Sequence, residues 1–251
     1  MTEGFSVIIP TYNEEKILAA NVKRLMKFLD GLRKPYEIIV SDNGSTDRTT
    51  EIAKSLAGRH PKKVKLVRLA KRGVGYAFKA AVAAARYDKL ISIDADLTVD
   101  YRSFIPECAR LLRTSSMVVG SKFVGSQRRP ASRMLMSGVY IALARLLLGV
   151  CITDHSIGAK GYIRSDIRPF LGDVDAGSFY VTAMAYRISR AGKRIVEIPV
   201  SCDDRRPSRF SLPHEVAYRL ERLVLFWLRE KLAWAAYATS AIPESVIAMP
   251  A

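Results

Sequence analysis

Short β-branched and apolar runs alternate with segments of helical periodicity in the first half of the chain, and this alternation limits the possible folds. Four runs predict strands, at Phe5–Pro10, Tyr36–Val40, Val64–Leu69 and Lys89–Ile93. The segments between them predict helices, at Glu14–Leu32, Asp47–Leu56 and Gly73–Tyr87. Strands that alternate with helices form parallel sheets covered on both faces. We therefore expect an α/β fold with a mostly parallel central sheet and helices on both faces.

The second half of the chain has a less regular pattern. Further strands are predicted at Met117–Gly120, Gly158–Ile163 and Arg194–Val200, and helices at 133–148, 178–190 and 214–237. The segments Ser121–Ser132 and Cys202–Ser211 are predicted to be basic loops. We expect residues 1–212 to form one domain, which is followed by an amphipathic helix and a tail at 213–251.

The composition indicates a globular protein with an anionic partner. The chain has 251 residues, of which 49% are hydrophobic, and this is enough for one domain with a core. The 40 Lys and Arg residues exceed the 24 Asp and Glu residues by 16. Such a surplus suits nucleic acid, an acidic membrane surface or phosphorylated substrates.

The sequence predicts an intracellular protein without a membrane span. Its three cysteines are widely spaced, which is typical of reduced thiols, and residues 1–6 have no features of a secretory signal. The apolar stretch Met134–Thr153 contains Arg145, and the stretch Leu223–Ile242 contains Arg229, Glu230 and Lys231. A charge in the middle of a spanning helix is costly, so both stretches are predicted to be amphipathic helices.

Three polar clusters follow predicted strands. They are Pro10–Glu14, Asp42–Ser45 and Asp94–Thr98. Ligands of open α/β sheets bind at the carboxyl ends of the strands, so these clusters are expected to meet in one crevice.

The third cluster contains two carboxylates one residue apart, Asp94 and Asp96. If the backbone stays extended, both side chains point to the same side. Oxygen ligands in this position suit Mg²⁺ or Mn²⁺ that arrives with a phosphate. The alternative is a surface turn, because Asp is common where strands end.

Other nucleotide-binding and catalytic motifs are missing from the sequence. Gly73-Val74-Gly75 lacks the third glycine of a dinucleotide fingerprint, and no lysine-containing phosphate loop occurs. No Ser-His-Asp or Cys-His set stands out. The three histidines, His60, His155 and His214, are expected at the surface or in local hydrogen bonds.

The order of the motifs resembles that of a known enzyme family. Ile8-Ile9-Pro10-Thr11-Tyr12-Asn13-Glu14, Asp42-Asn43-Gly44-Ser45-Thr46-Asp47 and Asp94-Ala95-Asp96-Leu97 resemble the motifs of inverting glycosyltransferases with the GT-A fold. The Asp-Ala-Asp-Leu form is similar to that of the polyprenyl (dolichyl)-phosphate mannose and glucose synthases. The resemblance implies a nucleotide-binding half at about 1–120 and an acceptor half at about 121–212.

The resemblance also implies roles for residues of the first half. Pro10, Tyr12, Glu14 and Asp42 would line the nucleotide pocket, Asp94 would face the nucleotide and the metal, and Asp96 would be the principal ligand of Mg²⁺ or Mn²⁺. Thr98 stands where the family often has a Gln ligand. Structural alternatives are an aromatic residue in a turn for Tyr12, a helix-start carboxylate for Glu14 and a turn cap for Asp42.

In the second half, the resemblance implies cations around phosphate groups. Lys122 and Arg133 would stabilise the leaving nucleoside diphosphate together with the metal at Asp96. The acceptor phosphate would be held by five residues: Arg133, Ser137, Arg205, Arg206 and Arg209. A solvated loop is the alternative for the last three arginines. The family's Asp-x-Glu pair is missing, since Tyr180 and Thr182 stand near its place.

The expected function is metal-dependent transfer of mannose or glucose from GDP-mannose or UDP-glucose to a polyprenyl or dolichyl phosphate. The expected location is the cytoplasmic face of a membrane, bound peripherally through the helices at 133–148 and 214–237. Transfer to a sugar hydroxyl is the alternative, with Asp154, Asp173 or Asp175 as the base. Nucleic-acid binding is disfavoured because clustered carboxylates would repel a phosphate backbone.

Overall fold

The computed structural model describes residues 4–127, 131–202 and 212–240. Its centre is a seven-stranded sheet in the order β3-β2-β1-β4-β6-β5-β7. The strands are β1 (Phe5–Thr11), β2 (Tyr36–Asp42), β3 (Val64–Arg68), β4 (Lys89–Ser92), β5 (Met117–Gln127), β6 (Lys160–Ile163) and β7 (Ile195–Cys202). Only β6 runs against its neighbours β4 and β5, and the remaining pairs are parallel. The predicted α/β fold with a mostly parallel sheet is confirmed.

Helices cover both faces of the sheet. They are α1 (Leu18–Gly31), α2 (Thr49–Arg59), α3 (Val74–Ala84), α4 (Tyr101–Leu111), α5 (Ala131–Leu148), α6 (Arg164–Ile167), α7 (Tyr180–Arg190) and α8 (Leu212–Ser240). A 3₁₀ segment, Arg168–Asp173, follows α6.

Alternation along β1 separates the two main cores. Val7 and Ile9 join the cluster under α1, α2 and α4, whereas Ile8 joins the cluster under α3 and α7. Successive strand residues point to opposite faces, so a strand buried on both sides is apolar throughout. A third cluster joins α5, α7 and α8, and Ala144, Ala183 and Leu223 are fully buried in it.

Two elements differ most from the sequence-based prediction, because β5 is longer than expected and α4 was not predicted. The segment from Ser121 was expected to be a loop, but β5 continues to Gln127 because its outer part pairs with β7. Helix α4 was not predicted, since Pro106 lies inside it. The helix forms because its apolar face is buried and the Asp100 side chain caps its N-terminus by accepting a hydrogen bond from the Arg102 amide.

The backbone turns directly after β4, at the paired carboxylates. Strand β4 ends at Ser92, the Leu97 amide donates to the Asp94 carbonyl over 3.1 Å, and Leu97 has a φ of 55°. Asp96 accepts a hydrogen bond from the Thr98 amide at 2.9 Å. The prediction of an extended backbone through Asp94 and Asp96 is therefore wrong, and a turn presents the two side chains.

Within the ranges that the structure describes, no helix has both the length and the apolar character needed to cross a bilayer.

Candidate active site

A cavity of about 380 Å³ lies at the carboxyl ends of β1 and β4 and reaches to α5 and α8. Pro10, Tyr12, Glu14 and Asp94 line it from the sheet side. Helix α5 contributes Met136, Ser137, Tyr140 and Ile141, and α8 contributes Glu215, Val216 and Arg219. The cavity thus joins residues from the predicted nucleotide half to residues from the predicted acceptor half and from the C-terminal helix.

Hydrogen bonds tie the loop after β1 to the loop after β2. The Asn13 amide donates to Ser45 Oγ at 3.0 Å, and Asn13 Oδ1 accepts from the Thr46 amide at 2.8 Å. The Glu14 amide donates to Thr49 Oγ1 at 2.7 Å. Asn13 has a φ of 55°, a conformation that asparagine tolerates better than most residues. The first two polar clusters are therefore fixed to each other in front of the sheet.

Asp42 lies beneath these loops and is fully buried. One of its oxygens accepts from the Ser45 amide at 3.0 Å, and the other accepts from the Thr50 hydroxyl. Asp42 is not among the residues that line the cavity. Its observed contacts are those of a turn cap, and its contact with a nucleotide stays a prediction.

Tyr12 forms one wall of the cavity together with a cation. The Arg72 guanidinium lies 4.3 Å from the centroid of the Tyr12 ring, within the range of a cation–π contact. Both side chains line the cavity. A planar base or an anionic group can bind to such a pair by stacking or by charge.

Asp94 lies against the backbone of the segment before β6. A Cβ on Gly158 would collide with the Asp94 carboxylate. Glycine at this position therefore allows the carboxylate to line the cavity. Asp96 and Thr98 follow in the same turn and are half-buried, and neither lines the cavity.

The residues of this turn fit a divalent ion that is shared with a ligand. No group of three or more His, Cys, Asp or Glu side chains with metal-site geometry occurs in the described part of the chain. Mg²⁺ is commonly held by one or two carboxylates together with substrate phosphates, so a complete protein cage is not needed. Asp94 and Asp96 can supply those carboxylates.

Lys122 and Asp154 form a buried ion pair beside the cavity. Their Nζ and Oδ2 atoms are 3.3 Å apart, and both side chains are almost fully buried. The other oxygen of Asp154 accepts hydrogen bonds from the Ser156 and Ile157 amides at 2.9 and 3.0 Å. Burial alone would raise the pKa of Asp154, but Lys122, Lys160 and these amides lower it below its usual value. Asp154 is therefore an anion whose oxygens are both engaged.

Lys160, at the start of β6, is the lysine that lines the cavity. Its Nζ donates to the Ile157 carbonyl. Burial lowers its pKa to about 8, against the opposing effect of Asp154. Of the two cations predicted at the site, Lys122 and Arg133, Lys122 does not line the cavity, whereas Lys160 does.

His155 is part of a buried hydrogen-bonded chain on the same wall. Its Nδ1 lies 2.9 Å from Thr182 Oγ1, which lies 2.8 Å from the Tyr140 hydroxyl. Burial, together with Arg219 and Lys160, lowers the pKa of His155 to about 3, so the imidazole is neutral. Of the two alternatives expected for the histidines, His155 takes the hydrogen-bonded one and not the surface position.

The structure places the remaining predicted site residues as follows. Ser137 lines the cavity from α5. The side chain of Arg133 and the whole of Arg205, Arg206 and Arg209 lie outside the described residues.

Two of the three candidate bases are engaged with helices away from the cavity. Asp173 pairs with Arg187 at 2.6 Å and with Arg229 at 2.7 Å. Asp175 accepts a hydrogen bond from the Tyr218 hydroxyl and lies 3.6 Å from Arg222. Neither carboxylate lines the cavity, whereas Asp154 does.

Sequence reasoning missed several residues of the cavity: Arg72, His155, Lys160 and Arg219. Lys160 follows Asp154 and Gly158 in one segment, and its place at the start of a buried strand was the available signal. Arg219 had no distinguishing signal, because it is one of several arginines on a long helix.

The sequence matches a family described as Glycosyl transferase family 2 over residues 6–168. The chain belongs to this family. The matched range contains all three polar clusters, the Gly158 contact and Lys160. The protein is thus a glycosyltransferase, and its similarity to polyprenyl-phosphate sugar transferases confirms the resemblance inferred from the motifs.

Curated relatives agree with this assignment. An undecaprenyl-phosphate mannosyltransferase of Micrococcus luteus is 32% identical over 208 residues, which cover 79% of this chain and 83% of the relative. A polyprenol monophosphomannose synthase of Mycolicibacterium smegmatis is 32% identical, with coverage of 81% and 79%. Glycosyltransferase AglD of Haloferax volcanii is 29% identical over 88% of this chain, which spans only 36% of AglD.

A solved structure has the same fold. Glucosyl-3-phosphoglycerate synthase from Mycobacterium tuberculosis, in complex with Mn²⁺ and uridine-diphosphate-glucose, superposes with a TM-score of 0.66. The match covers 89% of this chain and 78% of that chain at 19% identity. At this identity the likeness establishes the GT-A fold and nothing further.

Proposed function

We propose that this glycosyltransferase transfers a hexose, mannose or glucose, from a nucleotide sugar to a polyprenyl phosphate with inversion at the anomeric carbon. The observation that carries the proposal is the composition of the cavity. Its sheet side presents Tyr12, Asp94 and Lys160, and its helix side presents Arg219 together with apolar side chains of α5 and α8. A donor that carries a diphosphate can bind at the sheet side. An acceptor with an anionic head and an apolar tail can bind at the helix side.

On the donor side, the loops after β1 and β2 position the nucleotide. Pro10, Tyr12 and Glu14 bind the base and ribose, and Arg72 next to Tyr12 adds a positive charge for the diphosphate. Asp94 and Asp96 would hold Mg²⁺ or Mn²⁺, which stabilises the negative charge of the departing nucleoside diphosphate. Lys122 and Arg133 stay the further cations predicted for the leaving group, and Lys122 would act from beside the cavity, where it is paired with Asp154.

On the acceptor side, an oxygen of the lipid phosphate attacks the anomeric carbon opposite the leaving group. The bond from this carbon to the acceptor oxygen forms while its bond to the diphosphate oxygen breaks. A phosphate oxygen is already anionic, so it needs cations to hold it and no protein base. Asp154 is the only one of the three candidate bases among the residues lining the cavity, and its ion pair with Lys122 favours a structural role.

Helices α5 and α8 also carry apolar residues that face away from the core. Leu135 and Leu146 on α5 are 71% and 78% exposed, and Leu232 on α8 is 71% exposed. Val139 on α5 and Val224 on α8 are also exposed. Amphipathic helices of this kind bind in the interface of a membrane. We assign these faces to peripheral contact with the cytoplasmic side of a membrane that holds the lipid acceptor.

A transfer assay tests the proposal. Purified protein, Mn²⁺ and each of several radiolabelled nucleotide sugars are incubated with polyprenyl phosphate in detergent, and the label that enters the organic phase is counted. We expect label transfer from one donor, which is abolished when polyprenol replaces the phosphate. Transfer of label only to a sugar hydroxyl acceptor would contradict the proposal.

A further inference from the structure

Helix α8 places Arg219 in the cavity, although no sequence motif indicated this residue. The Arg219 side chain is only 16% exposed, and it lies over the Tyr140 ring with its guanidinium carbon 5.9 Å from the ring centroid. Its Nε donates to Glu215 Oε1 at 2.9 Å and to Ser178 Oγ at 2.8 Å. Within the described residues, these are the two hydrogen bonds of Arg219, and both use Nε. The two Nη groups can therefore donate to another acceptor.

The geometry of the free part of this guanidinium suits a phosphate. The two Nη groups present a planar set of N–H donors, which matches the oxygens of a phosphate better than a lysine does. The contacts of Nε with α8 itself and with Ser178 fix the orientation of the fork. Arg219 is therefore prearranged to bind an anion in the cavity.

A second observation on the same wall indicates a missing ligand. His155 is 4% exposed and lines the cavity, and its buried Nε2 has no hydrogen-bond partner within the described residues. Leaving such an atom unpaired is unfavourable, so a ligand is expected to meet it. The Thr182 hydroxyl holds the ring through Nδ1, and the Tyr140 hydroxyl in turn contacts Thr182.

We propose that Arg219 and His155 form a binding site for the phosphate group of the acceptor, an inference that rests on the proposed function. The site requires the tautomer in which Thr182 donates to Nδ1 and Nε2 carries the proton that is donated to a phosphate oxygen. Ser137, one helical turn before Tyr140 on α5, lies on the same side. Lys160 adds a nearby positive charge. Because α8 carries both Arg219 and exposed apolar residues, it links phosphate recognition to contact with the lipid.

Binding of a short acceptor tests this site without requiring sugar transfer. Calorimetric titration of the intact protein uses farnesyl phosphate as the ligand and farnesol as the control without phosphate. The first variant is Arg219→Met combined with Glu215→Gln, so that no carboxylate is left unpaired. We expect its Kd for farnesyl phosphate to rise roughly tenfold to a hundredfold, because a charge-assisted hydrogen bond is lost. Its weaker affinity for farnesol should not change.

Three further variants separate recognition from folding. Arg219→Lys keeps the charge without the fork, and we expect an intermediate increase in Kd. His155→Gln should raise the Kd by about threefold to tenfold. Arg222→Met removes an exposed arginine of the same helix that lies outside the cavity, and it should bind like the wild type. In the wild type, the ¹⁵N resonance of His155 Nε2 should shift on addition of farnesyl phosphate but not of farnesol.

Each outcome of these titrations decides between the claims. Unchanged Kd values in all Arg219 variants would overturn the inference, as would weakened binding of nucleoside diphosphate with farnesyl phosphate binding intact. If the wild type transfers sugar to polyprenyl phosphate and the Arg219 variants bind farnesyl phosphate with an unchanged Kd, the inference alone is contradicted. Phosphate-dependent binding that depends on Arg219, without any transfer to polyprenyl phosphate, contradicts the proposed function alone.

Discussion

The two sides of the cavity are built in different ways. The side proposed to bind the donor, here the donor side, consists of short loops that directly follow β1, β2 and β4, and side chains lock the first two loops together, as Asn13 does with Thr46. The side proposed to bind the acceptor, here the acceptor side, consists of α5, α7 and α8, which are far apart in sequence and meet through a separate apolar cluster. A local sequence motif therefore specifies the donor side, whereas the acceptor side depends on how helices pack.

This difference separates the binding of donor and acceptor in the proposed function. The loops at the carboxyl ends of the strands are fixed to a rigid sheet. The helices of the acceptor side are attached by ion pairs and leave apolar surface exposed, as Leu135 and Leu232 illustrate. Substitutions on the two sides should accordingly affect different steps, and the following predictions test that distinction.

The largest effect is expected at the turn after β4. Asp96→Ala should lower kcat/KM by at least about a hundredfold, because a ligand that stabilises the departing diphosphate is lost. Steady-state kinetics with the preferred nucleotide sugar provides the measurement. Asp100→Asn, which keeps a capping oxygen at the start of α4, is the matched control and should retain activity. Full activity of Asp96→Ala would remove the proposed role of this turn.

The next effect concerns the attachment of α8. Arg187 on α7 donates to both oxygens of Glu230 on α8, at 2.8 and 2.7 Å, and pairs with Asp173. Arg187→Met should lower the free energy of unfolding by about 2–3 kcal/mol, because the partly buried Asp173 and Glu230 each lose one of their two arginine partners.

Urea denaturation measures this loss. The control is Arg222→Met, because Arg222 is about half exposed. This variant should change the free energy of unfolding by less than about 0.5 kcal/mol. If the two variants are equally stable, α8 is not held by this network.

A pH dependence follows from His155. Its pKa in the folded protein is about 3, below the value of 6.5 for an unperturbed histidine. Between these values the unfolded chain binds the extra proton, so the free energy of unfolding falls as the pH falls below about 6.5. The loss from this residue between pH 7 and pH 5 is about 2 kcal/mol.

Urea denaturation of His155→Gln at pH 7 and pH 5 measures the contribution. The variant should lose about 2 kcal/mol less than the wild type over this interval. His214→Gln, at an exposed position of α8, should behave like the wild type. Equal losses in the wild type and His155→Gln would mean that His155 is accessible to protons in the folded protein.

The smallest effect is expected at the exposed face of α5. Leu135→Ser with Leu146→Ser should reduce binding to anionic liposomes about tenfold, because less apolar surface enters the interface. Sedimentation of the protein with liposomes provides the measurement, and activity on farnesyl phosphate without liposomes is the control that should not change. Undiminished sedimentation would assign membrane contact to another surface.

Much of the donor side could be predicted from the sequence. Strands β1, β2 and β4 contain apolar runs that are visible in the sequence, and the three polar clusters fall where these strands end. The conformation of the Asp94–Asp96 turn could not be predicted, because the positive φ of Leu97 has no sequence signal comparable to glycine. That turn, and not strand alternation, determines how the carboxylates are presented.

The acceptor side was less predictable because its features depend on contacts between distant segments. The extension of β5 depends on pairing with β7, more than 70 residues later, as the hydrogen bond between Ser126 and Ser201 illustrates. The neutral state of His155 depends on burial by α5 and α7. Arg219 enters the cavity because Leu223 and Phe226 fix the rotation of α8 in the core. None of these relations is visible within a single sequence segment.

The central claim is that the turn after β4 binds a divalent ion together with the diphosphate of a nucleotide sugar. Crystals soaked with Mn²⁺ and the nucleoside diphosphate of the preferred donor, measured at the manganese absorption edge, test it most directly. We expect one anomalous peak within coordination distance of the Asp96 carboxylate and of a diphosphate oxygen. A diphosphate bound in the cavity without such a peak, or a peak at another site, would contradict the claim.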